Sequence, residues 1–136
     1  MGLFGNPASI IVDVNLIIQW VIFVLLLIGY MKRGERKTHG YLMVVALVLN
    51  LVTTLVVMAP SLVLNFGTLP ITVLPHAAVG IIALLLGFLF SFKWLMALRS
   101  SKPVICGTRG MMRLAFVLWI VPVFFGTFLY LTIYVL

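Results

Sequence analysis

The chain has 136 residues, 65% of them hydrophobic and only 8% charged, with a formal net charge of +7. A soluble domain of this size carries about 25% charged residues, so the composition excludes a soluble globular fold and leaves no length for a separate soluble domain. One cysteine, Cys106, excludes an intramolecular disulfide and any cysteine-rich metal site.

The opening MGLFGNPAS has no positively charged stretch and does not read as a cleaved signal peptide. Asn6 stands where a myristoylation pattern needs Ser or Thr, so Met1 is expected to be retained and unlipidated. Crossing the hydrocarbon takes about 20 mostly apolar residues. The first run that qualifies extends roughly from Ile10 to Met31, and the second from Gly40 to Leu64. Pro60 falls inside the second run and should kink or end that helix. The connector NFGTLPITVLP, with Pro70 and Pro75, is expected not to be regular helix. The third span is expected from His76 to Leu98 and the fourth from Arg113 to Leu136, with Pro122 as a kink site. Short connections make neighbours antiparallel, giving an all-α, up-down four-helix membrane bundle.

Basic residues gather in two places. Lys32, Arg33, Arg36 and Lys37 share one loop; Arg99, Lys102, Arg109 and Arg113 lie in or beside another, with Lys93 close by. This is the distribution that the positive-inside rule produces, which argues against nucleic acid as the partner and for anionic lipid headgroups. It predicts cytoplasmic basic loops, with the uncharged connector and both termini outside, in a cell membrane. Tyr30, Tyr41 and Trp94 then fall near the inner interface and Tyr130 and Tyr134 near the outer one. A short echo, THGYL from Thr38 and TRGMM from Thr108, opens two outward-going helices and hints at a repeated hairpin.

Ionisable groups inside spans are costly and call for a reason. Asp13 and His76 lie at similar depth near the outer surface, where they would either meet as a proton-responsive pair or sit hydrated at helix starts. Together they could also supply two ligands of a metal site shared with a partner. Asn15 and Gln19 share a face of the first helix, and Asn50, Thr53 and Thr54 form a polar stripe on the second, suited to interhelical hydrogen bonds. Gly80, Gly87 and Ser91 recur at helical spacing on the third helix and are expected to admit close packing.

His39 sits between the basic loop and the second helix. It and His76 open helices that run in opposite directions, so most of the hydrocarbon thickness separates them and one haem cannot take both as axial ligands. Ligation of haem by one histidine, completed by Met43, Met58 or another subunit, stays open. No HxxxH motif, cysteine pair or carboxylate cluster offers a complete zinc or copper site, and no nucleophile–base–acid set suggests an enzyme. Ser91 and Lys93, two apart, point in different directions, and Lys93 is expected to snorkel to the inner headgroups.

The basic loop followed by THGYLM, and LPHAAVGIIALLLGFL at the third helix, resemble the small four-helix membrane proteins that include YozB and CtaM. The resemblance spans nearly the whole chain and implies a role in maturation or activity of haem–copper terminal oxidases, with haem or copper as possible cargo. It places His39 and His76 at two of that family's histidine positions. A third, at the start of the fourth helix, is Arg109 here, which departs from the family pattern. The expected function is a non-catalytic accessory protein of a respiratory oxidase. Two alternatives are a permanent small subunit of a membrane oxidoreductase or monooxygenase and, less well supported, a proton or small-solute carrier.

Overall fold

Ser9 starts the first helix. Its hydroxyl accepts from the Val12 N–H at 3.4 Å, satisfying one of the donors that a helix start leaves without an intrahelical partner. In the computed structural model, which describes residues 2–5, 8–68, 70–100 and 109–136, helix α1 spans Ile10–Met31. Helices α2 (Arg36–Leu64), α3 (Val73–Arg99) and α4 (Arg109–Val135) follow. All four are long and apolar enough to cross a membrane, so the chain fits a multi-pass membrane protein, and no strand occurs among the described residues. Lys102, Cys106 and Thr108 lie outside those residues.

The bounds of α1 agree with its apolar run, whereas α2, α3 and α4 each begin three or four residues before theirs. Backbone hydrogen bonding does not stop where the lipid stops. Arg36 to His39 therefore add a turn of helix, in which the side chains of Arg36, Lys37 and Thr38 are exposed. The connector also departs from expectation, because α3 already includes Pro75. Pro75 is the third residue of α3, within the first turn, where the N–H it lacks would have no intrahelical acceptor.

Pro60 does not end α2. Instead the helix widens ahead of it into a π-helical turn, Thr54–Met58, and the Ala59 N–H bonds to the Thr54 carbonyl before regular helix resumes to Leu64. The proline ring crowds the carbonyl one turn back, and the wider turn absorbs that crowding. Beyond Thr53, α2 makes no close approach to α3. This explains a correction: Gly80 on α3 faces open space and packs against nothing, although its spacing to Gly87 suggested a common contact. Gly87 does admit close packing, since a Cβ there would stand 2.5 Å from the Trp119 ring and 3.2 Å from Leu47. α4 continues as helix through Pro122 and ends in a second π-helical turn, Leu131–Val135.

The core is small because lipid-facing side chains need no burial. Ile22 and Leu26 of α1, Ala46 and Leu47 of α2, Ala83 of α3 and Trp119 of α4 form its buried centre. Trp119 crosses from α4 to α3 and donates its indole N–H to the Ala83 carbonyl at 2.6 Å. Trp20 and Phe23 of α1 meet Phe124 of α4 edge-on, and Tyr30 stacks on Phe116 with ring centroids 4.9 Å apart.

The polar stripe of α2 is used in part. Thr53 accepts from the Gln19 side chain of α1 at 3.0 Å and donates to the Asn50 carbonyl at 3.0 Å. Thr54 instead turns its hydroxyl to the Met58 sulfur on its own helix. Such bonds between membrane helices average about 0.6 kcal/mol and reach about 1.7. Thr53→Val is therefore expected to lower stability within that range, as read by steric-trap unfolding in bicelles. A loss above that ceiling would mean that Thr53 holds more than Gln19.

Candidate functional site

At the end of the molecule that carries the basic residues, all four helices line one cavity of about 710 Å³. Ligand sites commonly enclose about 300–1,000 Å³. Leu26, Met43, Phe90, Phe116 and Trp119 make its inner part apolar. Arg33, Arg36, Arg109 and Arg113 stand at its mouth, where their side chains are exposed. Tyr30, His39, Ser91 and Trp94 line the wall between.

His39 has a definite job there. Its Nδ1 lies 2.7 Å from the Gly29 carbonyl, one of the acceptors that the end of α1 leaves unpaired. A carbonyl only accepts, so Nδ1 donates to it, and Nε2 is the ring nitrogen not engaged by this bond. This bond joins α1 to α2 directly across their short turn. Nearby, the end of the Met43 side chain occupies the space a Cβ on Gly29 would take, which draws the two helices close.

Trp94 is 2% exposed and packs on α2 at Gly40, where an added Cβ would come within 2.0 Å of the indole. Tyr41 meets its edge at 5.0 Å. Among the described residues the indole N–H has no hydrogen-bond acceptor. A buried donor left in that state costs about 1–3 kcal/mol. Ser91 is also buried on this wall, while Lys93 is exposed, as their spacing implied.

The charges around the mouth are unequally matched. Lys32 pairs with Glu35 at 3.4 Å. Arg33 lies 4.3 Å over the Tyr30 ring and donates to the Tyr30 carbonyl. No carboxylate lines the cavity. Lys37 and Arg99 are exposed and do not line it.

Asp13 and His76 occupy the opposite end. Asp13 is 0% exposed, accepting from the Leu3 N–H at 2.6 Å and from the Tyr130 hydroxyl at 2.5 Å. The first residues fold back over it, so closely that a Cβ on Gly2 would collide with its carboxylate. Ser9, not Asp13, caps α1. His76 packs against Phe125 and against Gly126, where a Cβ would lie 3.0 Å from the imidazole, and its Nδ1 has no hydrogen-bond partner among the described residues. The two side chains reach α4 one turn apart, at Gly126 and Tyr130, without a hydrogen bond or ion pair between them. Among the described residues no three His, Cys, Asp or Glu side chains gather as a metal site. His39 and His76 belong to opposite ends: Trp94, which packs on Gly40 next to His39 in the chain, is 18 residues from His76 on α3, about 27 Å of helix.

Sequence reasoning placed Trp94 and Tyr130 as interfacial aromatics, and the arginines as topology markers. Their roles as a donor in the cavity wall, the partner of Asp13 and the cavity mouth emerge only from helix pairing. One signal was available: the chain has two acidic residues against nine basic ones, so most of the arginines must lack an acid partner. Comparison with protein families, curated proteins and solved structures found no match.

Proposed function

We propose that the chain is a non-catalytic, multi-pass protein of the cell membrane that assists assembly or activity of a respiratory haem–copper oxidase. In this reading it is an up-down bundle with basic loops in the cytoplasm and both termini outside. The two clusters of basic residues support that sidedness. The contacts support the up-down order, since the Asp13 end of α1 meets the Tyr130 end of α4 while Tyr30 meets Phe116.

The observation that carries the function is the cavity: cationic and donor groups surround an apolar interior, with no carboxylate among the described residues of its walls. Such a lining supports a reading as a recognition site. It also separates the two cargoes that oxidase maturation brings to mind. Four arginines at the mouth repel a copper ion and attract the carboxylates of haem. His39 offers one imidazole nitrogen, whereas the end of Met43 is packed against Gly29.

The test is extraction from native membranes in mild detergent, then a native gel with mass spectrometry and a visible spectrum of the band. The accessory reading expects the chain alone or in a minor subcomplex with oxidase subunits. Stable one-to-one migration with a large oxidoreductase would replace it with the permanent-subunit reading. A Soret band lost in His39→Ala would identify haem as the cargo.

A further inference from the structure

We infer that the cavity at the basic end is a binding site for an amphipathic oxyanion, a molecule with a phosphate or carboxylate head and an apolar body. The inference rests on reading the cavity as a recognition site, and not on an oxidase being the partner.

Electrostatics comes first. Of the two acidic side chains, Asp13 is held at the far end by Leu3 and Tyr130, and Glu35 pairs with Lys32. Arg33 is engaged by Tyr30. Arg36, Arg109 and Arg113 therefore stand at the mouth with no carboxylate partner among the described residues. Arg109 and Arg113 are one turn apart on α4, and Arg36 is one turn before Gly40, on which Trp94 lies. Guanidinium forks around one cavity mouth are suited to bidentate capture of a phosphate or carboxylate.

The second observation is independent of charge. The buried Trp94 N–H on the same wall has no acceptor among the described residues, and a buried indole donor ordinarily finds one. Its edge is packed on Gly40, so a ligand's oxygen atoms would supply the acceptor once the indole shifts off that glycine. Past Trp94 the wall turns apolar, through Phe90, Phe116 and Trp119. That part has nothing to offer inorganic phosphate, and it suits the body of an amphiphile.

A membrane phospholipid or a carboxylate-bearing tetrapyrrole would present this chemistry. The full chain, purified in dodecyl maltoside, is titrated with phosphatidylglycerol, with hemin and with inorganic phosphate, following Trp fluorescence and heat. The detergent is itself the neutral-amphiphile control. Saturable binding of phosphatidylglycerol or hemin, at least about a hundredfold tighter than inorganic phosphate, is expected. Arg109→Gln/Arg113→Gln should weaken it about tenfold or more, while Lys32→Gln/Lys37→Gln, equal in charge but outside the cavity, should change it less than about threefold. Trp94→Phe, which keeps the ring and removes the donor, should weaken it about threefold to tenfold and serves if the arginine variant does not fold. Binding of phosphatidylglycerol alone identifies a lipid site, and binding of hemin alone a tetrapyrrole site. No saturable binding of either overturns the inference. So does equal weakening by the lysine and arginine pairs, or full affinity in both Trp94→Phe and Arg36→Gln. Because these titrations use the isolated chain, their failure would leave the oxidase reading to the native gel, and the reverse also holds.

Discussion

Trp119→Ala is expected to lower the unfolding free energy by about 3–5 kcal/mol, the range for deleting a large buried aromatic. Trp119 is the piece of α4 that enters the core formed by α1, α2 and α3, touching Gly87 and, through its N–H, the Ala83 carbonyl. Removing it takes away both the packing and that hydrogen bond, and it widens the cavity whose inner wall Trp119 forms. Trp119→Phe separates the two contributions: it restores most of the ring and should cost about 0.5–1.5 kcal/mol for the hydrogen bond, plus a smaller packing loss. Steric-trap unfolding in bicelles measures both variants. A loss below 1 kcal/mol for Trp119→Ala would mean that lipid or the other helices refill the site, and that α4 is not anchored through it.

Much of the helical architecture could be read from the sequence because a membrane imposes a length and a polarity on each span. The run Ile10–Met31 is bounded by Ser9 on one side and by Lys32 on the other, and the helix found there has those bounds. Elsewhere the apolar run was a poor ruler, since Arg36 to His39 and Arg109 to Met112 are helical although polar or flanked by charge. Of the prolines, only Pro75 departs from its expected place. Pro75 is tolerated in the first turn of α3, Pro60 is accommodated by a π-helical turn, and Pro122 leaves α4 continuous.

The candidate site was less legible, because it depends on which helix faces which. Nothing in the spacing of Gly80, Gly87 and Ser91 says that α2 departs from α3 at the level of its π-helical turn, which leaves Gly80 unpacked. Gly40 shows the converse. In the sequence it is one letter of THGYLM, yet Trp94 rests on it and the wall of the cavity depends on its having no side chain. Its counterpart in the sequence echo, Gly110, meets nothing within 4 Å, so the echo does not extend to packing.

Asp13 provides the other large effect. Both carboxylate oxygens are taken, one by the Leu3 N–H and one by the Tyr130 hydroxyl, so this side chain ties the N-terminal residues and the end of α4 to α1. Hydrogen bonds to a charged group contribute about 1.5–3 kcal/mol each. Asp13→Asn turns an acceptor-only group into one that must present an NH2 beside two donors, and a loss of about 2–4 kcal/mol is expected from one bond and its orphaned donor. Tyr130→Phe should cost about 1.5–3 kcal/mol. In the double variant the losses should fall short of additive by about 1–2 kcal/mol, since the second change finds the shared bond already gone. Amide exchange of Leu3 should accelerate in Asp13→Asn and much less in Tyr130→Phe. The same cycle decides whether Asp13 acts with His76. With no hydrogen bond or ion pair between them, Asp13→Asn and His76→Gln should be additive to within about 0.5 kcal/mol. A larger coupling with His76 than with Tyr130 would mean that the carboxylate and the imidazole do share a proton, and that the Tyr130 bond is the weaker of the two.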